Sequence, residues 1–223
     1  PRIDKELLEK YHEDLIICSA CIGGEIPQHI LNGRMDKAEE SVLWFKNLFG
    51  EDYYLEIQRH ETHDPNAAQD VYPHQVTANK AILELARKHN IKVIATNDVH
   101  FVNAEDAEAH DRLICLSTGK DLDDPNRMRY TKQEWMKTTA EMNTIFSDIP
   151  EALSNTLEIA DKVEFYSIDH GPIMPTFAIP EDFGTEEEYR QKFTEQDLFD
   201  EFTRDENGNV VLSEEDAHDK IKK

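Results

Sequence analysis

Apolar positions in the first hundred residues fall into two alternating textures. Short continuous runs stand at 15–18, 53–57 and 93–95, each bounded by polar or glycine-bearing stretches, the pattern of strands buried in a parallel sheet. Between them the apolar residues recur at helical spacing. Residues 7–11 read as the end of a helix, 25–31 as a helix stopped by Asn32-Gly33, and 36–49 as one in which Ala38, Val42, Leu43, Phe45, Leu48 and Phe49 recur near helical spacing and Gly50 closes the element. A polar loop at 59–73 leads into a helix at 74–90, with Ala78, Ile82, Leu83, Leu85 and Ala86 on its buried face. The order strand, helix, strand, helix, strand predicts an α/β sheet or barrel with parallel strands, and in such folds ligands gather at the C-terminal ends of the strands.

Beyond residue 103 the pattern becomes helical. Helices are predicted at 104–117, at 132–146 behind a Thr131 cap, and at 150–162 with Pro150 in the first turn. Residues 171–180 hold three prolines and read as a linker. The remainder, 181–223, is expected to be α-rich, with Glu186-Glu187-Glu188 as a charged first turn, Asn207-Gly208 as a hairpin turn, and a helix started by Ser213 with Asp216 three residues on. This gives three regions, 1–103, 104–172 and 173–223. A chain that opens on Pro1 and closes inside a newly begun helix is expected to be an excerpt of a longer polypeptide.

Charge narrows the functional classes. The 223 residues carry 24 Lys and Arg against 47 Asp and Glu, a formal charge of −23, of which −9 lies in 181–223. Affinity for nucleic acid comes from neutralised phosphates, so by charge alone these residues should not grip DNA strongly. Cys18, Cys21 and Cys115 are too few for a disulfide framework, which points to a reducing compartment, and cytoplasm is the expectation. No apolar run is long enough to span a bilayer, so no membrane partner is expected.

Candidate chemistry concentrates at one strand end. In an extended segment residues two apart share a side, so Asp98 and His100 are expected to converge on one metal ion. Cys21 follows another predicted strand and could reach the same rim; carboxylate, imidazole and thiolate together form a donor set suited to zinc or another transition metal. His60 and His63, among Glu61, Asp64 and Pro65, read as solvated turn residues. Asp121, Asp123 and Asp124 lack the glycine and later glutamate of a calcium loop and read as an acidic turn; His110 reads as packing. No phosphate-cradling glycine loop and no serine-nucleophile elbow is present.

Five ordered blocks carry a family resemblance: DLIICSACIGGEIPQHILNG, YYLEIQ, KVIATNDVHF, DAEAHDRLICLSTGKDLDDPNRMRY and FSDIPEALSNTLEIADKV. Over about residues 5–180 the sequence resembles the bacterial DNA polymerase III alpha-subunit family, in the later part of its polymerase-and-histidinol-phosphatase (PHP) domain. The resemblance implies part of a distorted (β/α)7 barrel with metal ions at its C-terminal rim, then a helical linkage and an acidic entry to the polymerase palm. Cys21 matches a metal-binding cysteine, and Asp98 and His100 match the final Asp-x-His ligand pair. The family's early His-x-His motif, its other ligands and its polymerase aspartates have no counterpart in these residues. The family's activity is DNA synthesis with magnesium, on DNA and deoxynucleotides, alongside other replicase subunits including a sliding clamp and a proofreading exonuclease. Its PHP site, with zinc, manganese or iron, implies a 3'-5' exonuclease or a structural role. A stand-alone metal-dependent phosphoesterase and a non-catalytic platform for a proofreading subunit are the alternatives, and the isolated chain is expected to be inactive.

Overall fold

The structure is a computed structural model that describes residues 2–175, 184–213 and 215–216. The chain divides into two compact units, Pro1–Phe165 and Tyr166–Lys223. The first opens with α1 (Lys5–Lys10), whose start is fixed by the Asp4 carboxylate accepting from the Leu7 amide at 2.9 Å. It continues through β1 (Ile17–Cys18), α2 (Glu25–Leu31), α3 (Met35–Phe49), β2 (Tyr53–Ile57), α4 (Val71–His89), β3 (Val93–Ala95), α5 (Ala107–Thr118), α6 (Thr139–Ile145) and α7 (Pro150–Lys162).

Among the described residues the strands pair in parallel, in the order β1-β2-β3, with Ile17 opposite Tyr53 and Leu55 opposite Val93. Each crossover is helical, as parallel strands require. Alternation along β2 sends neighbouring side chains to opposite faces. Tyr53 stacks on Phe45 of α3, ring centroids 5.5 Å apart, while the Tyr54 hydroxyl donates to Glu158 of α7 at 2.7 Å. The core joins Ile26 and Ile30 of α2, Val42 of α3, Leu55 and Ile57 of β2, Ile82 and Leu85 of α4, and Phe146 and Ala152 beside and within α7. Helices α6 and α7 therefore share the core of the sheet rather than forming a separate one.

Three expectations change. The 15–18 run is only half-buried and pairs only at Ile17 and Cys18, with Leu15 exposed, because among the described residues β1 has β2 as its one neighbour. Helix α4 begins three residues early, at Val71, with Pro73 in its first turn where its missing N–H costs nothing. The predicted helix at 132–146 forms only from 139. Thr131 does not cap it: the Thr131 hydroxyl donates to Glu134 at 2.6 Å and accepts from the Gln133 amide at 3.1 Å, and Lys132 adopts φ 66°. The chain from 131 to 138 is instead a closed loop bridged to Phe101 through Trp135, and Thr138 takes the capping role with Glu141.

In the second unit, residues 171–175 are irregular, α8 spans Glu186–Lys192 and α9 spans Glu195–Thr203, each opened by a threonine capping box. Asn207-Gly208 forms the expected turn: Arg204 bridges antiparallel to Val210, and Gly208 supplies φ 81°. Ser213 accepts from the Asp216 amide at 3.2 Å, and 215–216 are helical. The rest of the predicted linker and of the Ser213 helix lies outside the described residues.

Candidate metal-binding edge

The C-terminal ends of β1, β2 and β3 open onto one edge of the sheet, and polar side chains knit it together. Ser19, after β1, accepts from the Glu56 amide of β2 at 2.8 Å. The Glu56 carboxylate accepts from Gln58 at 2.9 Å and from the Thr96 hydroxyl just past β3. Gln58 is held in turn by Asn79 of α4, which donates to its carbonyl at 2.8 Å. Buried polar groups without partners are costly; the bonds above satisfy the polar atoms of this edge apart from Gln58 Oε1, which has no partner among the described residues.

His60 stands at the centre of that edge, only 2% exposed, so it is no solvated turn residue. Gln75 of α4 brackets it, accepting from its amide at 2.7 Å and donating to Nδ1 at 3.1 Å. Nδ1 is therefore an acceptor, and Nε2–H donates to the Asn97 carbonyl at 3.1 Å. Burial holds the imidazole below its ordinary pKa, against the pull of the Glu134 carboxylate 3.7 Å away. The neutral tautomer follows from both observations.

The three residues singled out for metal binding all lie at this edge. Cys21 is half-buried in the turn between β1 and α2, where Gly23 and Gly24 let the chain fold tightly. A Cβ on Gly24 would stand 2.5 Å from the Ser19 carbonyl, so the close approach itself demands glycine. Its neighbour Cys18 is a different thiol: burial, with the Glu56 charge, pushes its pKa up to about 11 and keeps it protonated. Asp98 is partly buried and sits at φ 45°. That left-handed turn breaks the extended alternation expected to align Asp98 with His100. His100 instead donates from Nδ1 to the Asp98 carbonyl at 2.6 Å, which leaves Nε2 to bind elsewhere. Its ring lies 4.7 Å from Tyr130 and 5.5 Å from His110. Burial raises the Tyr130 pKa, and the Asp98 and Glu134 carboxylates push it the same way. His110 packs among these rings, its pKa lowered first by burial and then by His100.

The donor chemistry at this edge suits a divalent transition metal: a thiol, a carboxylate, and an imidazole whose second nitrogen is already oriented. Among the described residues, however, no three His, Cys, Asp or Glu side chains are drawn into one coordination group. The acidic residues at 121–124 behave as a turn, Asp124 accepting from the Asn126 amide at 2.7 Å and from Lys120 at 3.0 Å. Gln75 carried no signal in the sequence pattern, and His60 read only as a turn residue. Thr131 and Glu134, three apart, have the signature of a helix cap and were legible only as that. No described helix is long and apolar enough to cross a membrane.

Comparison with known proteins follows the same ground. The PHP domain family matches residues 1–60. A DNA polymerase III subunit alpha of Borreliella burgdorferi is 44% identical over 200 residues, 89% of this chain and 17% of that protein. Its counterpart in Campylobacter jejuni is 39% identical over 194 residues, 82% of this chain and 15% of the relative. That of Treponema pallidum is 33% identical over 217 residues, 96% and 17% of the two chains. The chain thus spans about a sixth of the length of the curated relatives it matches.

Proposed function

This chain belongs with the DNA polymerase III alpha subunits, and on that premise we propose that it is a segment of such a polymerase, contributing one side of a PHP metal site. The observation that carries the proposal is the shared sheet edge: Cys21, Asp98 and His100 come from two strand ends, and the Nδ1 bond of His100 frees Nε2 for a metal. A divalent ion (zinc, manganese or iron) held there with further ligands from the longer polypeptide would supply positive charge for phosphate oxygens and acidify a water. The chain's own residues bind and orient. Cys21 and His100 offer donor atoms, Asp98 a carboxylate, and Tyr130 a hydroxyl that burial keeps protonated and able to donate.

In the longer polypeptide this site serves as a 3'-5' exonuclease. Polymerase chemistry, with magnesium, DNA, deoxynucleotides, a sliding clamp and other replicase subunits, belongs to the remaining sequence, and the location is the bacterial cytoplasm. A second reading, a platform that docks a separate proofreading subunit, is favoured by the lack of a three-donor group among the described residues. A stand-alone phosphoesterase is disfavoured by the helices from α5 to α7, which match the polymerase relatives along with the sheet.

A zinc titration of the chain by calorimetry, with the same sample assayed on a labelled primer-template, tests this. Weak uptake is expected, lowered at least about tenfold by Cys21→Ser or His100→Ala, with neither extension nor hydrolysis of the primer. Tight uptake unchanged by both substitutions would sink the ligand assignment, and primer hydrolysis abolished by Asp98→Ala would overturn the expected inactivity.

A further inference from the structure

We propose that Glu134 is a positioning residue that sets the backbone of residues 97–101 and thereby the presentation of Asp98 and His100; its role toward metal rests on the reading above. Glu134 is 2% exposed, and its Oε1 closes the 131–134 loop by accepting from the Thr131 amide at 3.0 Å and hydroxyl at 2.6 Å. The closed loop turns three successive carbonyls toward the donor segment. Gln133 and Trp135 accept from the two protons of the Asn97 side-chain amide at 2.9 and 2.7 Å, and Glu134 accepts from the His100 amide at 2.8 Å. From the other side His60 donates to the Asn97 carbonyl at 3.1 Å.

Those four bonds bracket Asp98 before and after, and Asp98 alone in the segment has positive φ. A non-glycine residue keeps that conformation only where its surroundings over-determine it. Opening the 131–134 loop releases Gln133 and Glu134, which belong to it, and Trp135, which follows it directly, and so is expected to remove three of the four bonds at once. Asp98 then relaxes to an ordinary backbone conformation, and the carbonyl that orients the His100 ring moves with it. The geometry makes a separate statement about charge. Oε2 finds no hydrogen-bond partner among the described residues, while Oε1 carries both loop-closing bonds. A glutamine, which retains the acceptor oxygen, is therefore expected to do the positioning work as well as the carboxylate.

The test uses the whole 223-residue chain, isotope-labelled and metal-free, followed by a zinc titration. Glu134→Ala is expected to move the Asp98 backbone coupling out of the positive-φ range, to speed exchange of the His100 amide about tenfold or more, and to weaken zinc uptake about 10–100-fold. Glu134→Gln is expected to restore all three. Should Glu134→Ala fail to fold, Asn97→Ala, which removes only the two side-chain bonds, is expected to produce the same coupling change and the same direction in zinc affinity. A folded variant of either kind with unchanged coupling and exchange overturns the proposal. Zinc uptake that needs Cys21 and His100 yet ignores Glu134→Ala overturns the positioning toward metal and leaves the site reading standing. Relaxation of Asp98 in a chain whose zinc uptake ignores Cys21 and His100 upholds the positioning and overturns the site reading.

Discussion

At the scale of single residues, environment decides what identical side chains do. Cys18 and Cys21 are three positions apart and both half-buried, yet desolvation beside Glu56 pushes the Cys18 thiol up to about 11, while Cys21 occupies the turn before α2. His60 shows why local sequence misleads. Its neighbours Glu61, Asp64 and Pro65 describe a solvated loop, but Gln75, fifteen residues on, draws it inside. No sequence window contains that partner. Glu158 makes the same point for charge. The Lys92 ammonium and then the Tyr54 hydroxyl hold its carboxyl near 2, against an ordinary 4.5. A carboxyl depressed in the folded state stabilises above its unfolded pKa and loses that contribution as pH falls through the folded one. Glu158→Gln is therefore expected to lower the urea midpoint at neutral pH, with the gap to the parent closing as pH drops from about 4.5 toward 2; a gap that persisted unchanged at about pH 2 would contradict it. Because the pair is largely exposed, the effect is expected to be small.

Among elements, period and punctuation carried most of the fold. The helices at 25–31 and 150–162 and the strands at 53–57 and 93–95 stand where hydrophobic spacing and glycine or proline placed them. The parallel order followed from strands separated by helices. What spacing could not supply was competition from distant partners. Residues 131–138 have a helix-start signature, and tertiary bonds to 97–101 turned it into a loop. The place of Asp98-x-His100 just past a strand end was legible, while its geometry was not, because φ 45° at Asp98 goes with that same loop. The β1–α2 turn offers a direct test of close packing. Gly24 has φ −67°, which any residue adopts, so only space excludes a side chain. Gly24→Ala is expected to cost about 1–3 kcal/mol in urea denaturation through the 2.5 Å approach to the Ser19 carbonyl. A cost below about 0.5 kcal/mol would show that the turn yields freely.

For the whole molecule, the charge of −23 first argued against a protein that handles DNA. Relatives several times longer change what that number describes: it characterises this stretch, and the surface that meets a duplex is proposed to lie in the rest of such a polymerase. The same length difference bears on the metal. Cys21, Asp98 and His100 do not form a three-donor group among the described residues, and completion of the proposed site is assigned to the longer polypeptide. The most direct test is a crystal of the 223-residue chain soaked in zinc, with anomalous diffraction collected at the zinc edge. The account expects a peak within about 2.0–2.3 Å of Cys21 Sγ and His100 Nε2. A zinc peak seated on other side chains, with Cys21 and His100 unliganded, would contradict it.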